Sequence, residues 1–138
     1  MPTVAVLDKQ AGRSYGQASA NILKLGESLG VLLTGTPSVS LYTVPAGRRV
    51  VCSYATVVCI TATGVTGVAT ARVEIAGTEV FSSQPLLGLD AVDKVWRWPL
   101  TVGASKSGGA AQTITFTVDS PATATTQTAD VRLYGYLV

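Results

Sequence analysis

Within Gln112-Thr113-Ile114-Thr115-Phe116-Thr117-Val118-Asp119, residues 113–118 alternate without a break between threonine and a large apolar residue. A period of two is the signature of a strand with one buried face: Ile114, Phe116 and Val118 point inward and Thr113, Thr115 and Thr117 outward. The same rhythm surrounds it. Across Val68–Ala76, Ala69, Ala71, Val73 and Ile75 share one face while Thr70, Arg72 and Glu74 share the other, and Gly77 turns the chain into Glu79–Ser82. Ser38–Val44 reads as a strand, and Val44-Pro45-Ala46-Gly47 as a β-turn with proline pre-setting its first central residue. Arg48 to Ala62 is a long strand whose mixed pattern indicates burial on both sides or a bulge, with Gly64 and Gly67 at the next corner.

Pro85–Asp93 reads as an irregular segment or a helical turn. Lys94–Val102 then sets Trp96, Trp98 and Leu100 on one face and Val95 and Arg97 on the other. Pro99 removes a ladder donor and places that strand at an edge or a bend. Gly103–Gly109 reads as a flexible tip, Ser120–Gln127 as a threonine–alanine loop, and Thr128–Val138 as the closing strand. Seven or eight antiparallel strands with turn signals every 8 to 15 residues predict an all-β, antiparallel jelly-roll sandwich of about eight strands, with an immunoglobulin-like sandwich the next best arrangement.

The expected body is residues 37–138. Residues 1–36 show no clear sheet pattern and read as an N-terminal arm. Ile22, Leu25 and Leu29 would share one face of a short helix, but Gly26 and Gly30 weaken a helix by about 1 kcal/mol each. A strand ending at Leu33 is the other reading. An arm with apolar residues and no core of its own has to lie against its own body or a neighbour.

Charge is scarce. Only 13% of the 138 residues are charged, 47% are hydrophobic, histidine is absent and the net charge is +2; the mean hydropathy is +0.39. An ordinary soluble domain carries roughly twice that share of charge. With so few ionic groups for its surface, part of that surface is expected to be covered by other protein. The basic residues are scattered apart from Arg48-Arg49, which does not suit tracking a nucleic-acid backbone. The apolar window Val50–Ile60 is too short and too interrupted to span a membrane. Met1-Pro2-Thr3-Val4 begins no secretion signal, so a reducing cytoplasm at the time of folding is expected.

No catalytic constellation emerges. Without histidine the Ser-His-Asp and Cys-His pairings are excluded within this chain, and so are imidazole metal sites. Cys52 and Cys59, seven apart in one strand, are expected on opposite faces about 23 Å apart, too far to bridge each other; they read as buried or half-buried small residues, or as partners in a cross-subunit disulfide. Glu74 and Glu79 flank a hairpin and read either as a glycosidase-like carboxylate pair or as solvated strand-end charges. Asp90 and Asp93 read as a weak calcium site or as turn residues. Lys106-Ser107 lacks the glycine before the lysine that a phosphate loop requires. Trp96 and Trp98 are core fillers, interface anchors or a sugar-stacking platform, and Tyr134 and Tyr136 admit the same reading. Arg48-Arg49 is a solvated strand entrance or an anchor for a partner's acidic groups. No cofactor or metal is expected, and a small-molecule ligand is not expected.

Leu41-Tyr42-Thr43-Val44-Pro45-Ala46-Gly47-Arg48-Arg49-Val50-Val51 resembles the opening strand-turn-strand of small jelly-roll proteins from tailed-phage structural modules. Leu133-Tyr134-Gly135-Tyr136-Leu137-Val138 is similar in style to their closing strand. With the threonine–alanine-rich body, the chain resembles bacteriophage capsid cement (decoration) proteins. The resemblance implies a non-enzymatic virion structural protein on the outer capsid surface. It would bind an HK97-like major capsid protein, clamp neighbouring shell subunits, and associate with itself as a homodimer or homotrimer. The contact surfaces expected are Arg48 and Arg49, the Trp96/Trp98 and Tyr134/Tyr136 faces, and Ile22, Leu25 and Leu29 of the arm. The alternative is a receptor- or carbohydrate-binding head of a tail fibre using Trp96 and Trp98.

Overall fold

The alternating stretch around Phe116 lies inside a sheet, with a neighbour on each side, and organises everything else. The computed structural model describes residues 22–98 and 106–138. Its strands are β1 Leu23–Leu32, β2 Ser38–Thr43, β3 Val50–Thr63, β4 Thr70–Ile75, β5 Thr78–Pro85, β6 Val95–Arg97, β7 Lys106–Gly108, β8 Thr113–Ser120 and β9 Thr126–Leu137. One sheet has the order β2-β8-β4-β5. The other has the order β1-β9-β3-β6, with β7 also paired to β3. All pairings are antiparallel.

β6 lies along Thr56–Val58 and β7 along Val50–Cys52 of the same strand. Together they occupy the place of one interrupted strand, so the architecture is an eight-strand jelly roll. Apart from the β4–β5 hairpin, each connection carries the chain from one sheet to the other. That is the winding expected of two Greek keys folded face to face.

The inward faces meet in one core. Ile114, Phe116 and Val118 of β8 oppose Ala55, Val57, Val131 and Leu133 of the other sheet, and all are buried. Trp98, 2% exposed, closes the core beside β6. Its ring centroid lies 6.0 Å from Phe81 and 6.2 Å from Phe116, and Trp96 meets it edge-on at 6.2 Å. The fully buried Gln127 pins the loop after β5 against this core by donating from Nε2 to the Leu89 carbonyl at 2.7 Å.

Several sequence expectations need correction. Of the two readings of the arm, the strand ending near Leu33 holds and the helix does not: Leu23–Leu32 pairs along β9, which lays this part of the arm against the body itself. Gly26, which argued against a helix, serves a close approach, since a Cβ there would lie 1.9 Å from the Leu41 carbonyl oxygen. Residues 1–21 of the expected arm lie outside the described residues. So do 99–102 of the predicted strand, including Leu100, and 103–105 of the predicted tip. Lys106–Gly108 of that tip is a strand instead. The turn after β2 closes one residue later than expected, with the Arg48 N–H donating to the Pro45 carbonyl at 3.2 Å.

Cys52 and Cys59 do not face opposite ways. A register shift between Cys52 and Tyr54 inserts an extra residue, so both cysteines are buried. A bulge resets the two-residue period, and no count of spacing reveals it. Burial pushes the Cys52 thiol from 9.0 up to about 12. The unfolded thiol ionises first, so the stability held by the neutral buried form is complete below pH 9 and is lost as pH rises toward 12. Neither cysteine is expected to react with a thiol reagent at pH 8 in the folded protein, while both react after urea unfolding. Rapid native-state labelling of Cys52 would contradict this burial.

Candidate interface

The two outward faces of the sandwich differ in chemistry. On the β2-β8-β4-β5 sheet, hydroxyls satisfy one another across strands: Ser38 with Thr117 at 2.9 Å and Thr43 with Thr113 at 3.2 Å. Arg72 bridges Glu74, at 2.9 Å, and Asp119, whose other oxygen accepts from Ser83 at 2.8 Å. Among the described residues, no large apolar side chain is exposed on these four strands. This face is polar and internally satisfied.

The face of the β1-β9-β3-β6 sheet is the reverse. All five large apolar strand residues exposed among the described residues belong to this sheet: Leu23, Leu29, Leu32, Ile60 and Val95. Leu29 is 59% and Val95 57% exposed. A register shift between Cys59 and Thr61 turns Ile60 outward. Toward the sheet's other end stands an aromatic stack, with the Tyr54 and Tyr134 rings 4.6 Å apart at 16°. The Arg97 guanidinium lies over Tyr54, 4.0 Å from its centroid. Such a cation–ring contact stiffens an arginine that would otherwise sweep through solvent.

Beside the stack, Glu27 accepts from Lys24 at 3.1 Å and from Arg132 at 3.0 Å, and Arg132 also reaches Asp130 at 3.7 Å. The Lys24 hydrogen bond first, with the charge of Lys24 and Arg132 behind it, holds the Glu27 carboxyl below its ordinary value. Exposed apolar groups next to ordered arginine and tyrosine make the composition of a protein-binding surface.

The residues singled out in the sequence scatter over this frame. Arg48 and Arg49 stand at the entrance to β3. Arg48 Nε donates to the Val138 carbonyl at 3.4 Å, and the Arg49 and Val138 backbones pair. Arg48 and Tyr136 also line an open groove of about 440 Å³ with Leu25 and Tyr42. Tyr134 lies in the aromatic stack, so the two tyrosines serve different places. Leu29 is exposed, whereas Leu25 packs against the core and Ile22 is half-buried. The strand conformation removes the shared helical face expected for these three.

Trp98 is a core residue, its indole N–H donating to the Ser82 carbonyl at 3.0 Å, and it is not available to a partner. Trp96 is half-buried with its indole nitrogen enclosed. The pair therefore does not form an open platform for a sugar ring. Glu74 and Glu79 are direct cross-strand partners, but Glu74 is taken up by Arg72. No group of three or more potential metal ligands occurs among the described residues, Asp90 and Asp93 included.

Sequence reasoning missed Tyr54, Arg97, Glu27, Arg132 and Ile60. The outward direction of Val95 and Arg97 was readable from the Trp96/Trp98 alternation. That Arg97 lies beside Thr56 on β3, with the Tyr54 ring in reach, depends on strand register.

No family model matches this chain, and no curated protein sequence does. Among solved structures, the chain is similar to one in the acidic stable capsid structure of Helicobacter pylori bacteriophage KHP30. The TM-score is 0.49 at 12% identity, covering 86% of this chain and 95% of that one. At that score and identity the likeness carries nothing about role.

Proposed function

We propose that this chain is a non-enzymatic structural protein of a virion, a jelly-roll cement subunit on the outer face of an HK97-like shell that clamps neighbouring major capsid proteins. The observation that carries an assembly role is the division between the two sheets: one polar and self-satisfied on its outward face, the other carrying every large apolar strand residue exposed among the described residues. A surface of that kind in a chain with 13% charged residues favours association over life as a free monomer. The cement assignment rests further on the phage-like segments Leu41–Val51 and Leu133–Val138. Binding the assembled shell and not its dispersed subunits would stabilise it by mass action. Lattice-matched contacts would reinforce one another through effective concentration.

Co-sedimentation with empty shells tests this reading. The expected result is binding that saturates at a fixed ratio to capsid subunits. Protein that stays in the supernatant at every ratio, with no density for it on reconstructed particles, would overturn it.

A further inference from the structure

We infer that the outer face of the β1-β9-β3-β6 sheet pairs with the same face of a second copy of this chain, about a two-fold axis running along the strands between β3 and β9. The inference deepens the assembly reading by naming the partner of that face, and it does not depend on shell binding.

The argument comes from register. Thr56 pairs with Arg97 on one side and Arg132 on the other, and Arg132 pairs with Glu27. One row across the sheet therefore reads Arg97, Thr56, Arg132, Glu27, spanning three strand spacings or about 14 Å. Among the described residues Arg97 has no carboxylate partner and lies instead over the Tyr54 ring. Glu27 sits at the opposite end of the row.

A two-fold axis along the strands lays each row over its own reverse, so each copy's Arg97 meets the other copy's Glu27, twice per dimer. In the next row, Val58 pairs with Val95 and with Asp130. Asp130 in turn accepts from the Gly30 N–H, within the bulged stretch of β1 that carries Leu29. The same axis thus brings Val95 over the other copy's Leu29 edge. In the row of the aromatic stack, Tyr54 comes over the other copy's Tyr134.

Other arrangements fit less well. An axis across the strands would set β6 over β6. Because the Thr56 row lies near the middle of β3, that places Arg97 against Arg97, a like-charge contact. Strand addition along β1 is opposed by its two register shifts and by Lys24 and Glu27, features that blunt an edge. Face-to-face packing with strands aligned needs neither edge.

Sedimentation velocity on the full chain over a concentration series tests the pairing. The wild type is expected to be dimeric. Arg97→Glu and Glu27→Arg should each raise the dissociation constant at least tenfold, because each sets like charges together twice. Mixed, these two variants should recover a heterodimer in which both contacts are again opposite in sign. Glu27 also holds Lys24 and Arg132 in its own chain, so Glu27→Gln, with an unchanged melting curve, provides the milder loss. A wild type that stays monomeric at high concentration, a dimer indifferent to Arg97→Glu, or single variants that do not associate on mixing would each overturn the pairing. A monomer that still sediments with shells would refute the pairing and leave the cement role standing. A charge-sensitive dimer that ignores shells would do the opposite.

Discussion

Gly135→Ala is expected to lower the melting temperature by about 10 °C. A Cβ at this position would lie 2.1 Å from the Val51 carbonyl oxygen, 3.0 Å from Leu25 Cδ1 and 3.1 Å from Cys52 Cα. The first and last of these are backbone atoms of β3 that cannot swing aside, so the strands must separate where β9 crosses the start of β3. Overpacking of this kind costs about 3 kcal/mol, and in a chain of this size that corresponds to the stated shift. Gly26→Ala belongs to the same class, with the Leu41 carbonyl 1.9 Å away. Gly47→Ala is the control: its φ is +72° with no atom within 4 Å, so it carries only the left-handed penalty of about 1 kcal/mol. Equal melting curves for Gly135→Ala and Gly47→Ala would show that the close approach of β9 to β3 is wrong.

Trp98→Ala is expected to cost about 4 kcal/mol, the range for emptying a large aromatic site in a core. The indole touches Phe81, Phe116 and Trp96, and its N–H is bound to the Ser82 carbonyl, so it ties β5, β6 and β8 together. Trp98→Phe should cost clearly less, because most of the ring contact survives. Chemical denaturation followed by fluorescence measures both. A Trp98→Ala protein as stable as wild type, but altered in binding to a partner, would return this residue to the surface role that its sequence position also allowed.

Strand existence and facing were legible wherever the period of two ran unbroken. Ala71, Val73 and Ile75 on β4, Ala69 just before it, and Ile114, Phe116 and Val118 on β8 are all buried as their alternation demands. Where a bulge intervened, the period lost its meaning: Cys52 and Cys59 ended on one face, and Ile60 was turned outward. β1 was hidden for a related reason. Its burial is irregular because two register shifts break it, so no clean alternation marks it as a strand. The candidate interface was legible residue by residue and illegible as a surface. Arg97 and Glu27 are seventy positions apart, and only β3 and β9 lying between their strands place them in one row.

Local chemistry alone determined the pleated all-β character, the scarcity of charge, the absence of imidazole catalysis and the hairpin at Gly77. Each follows from residue type or from neighbours a few positions away. Tertiary pairing decided which sheet carries the exposed apolar residues, that Trp98 is core and Leu29 is surface, and that Arg97 and the distant Glu27 share a row. Those outcomes depend on the register between strands remote in the chain, and register is set by bulges and close backbone approaches that leave no periodic trace in the residues themselves.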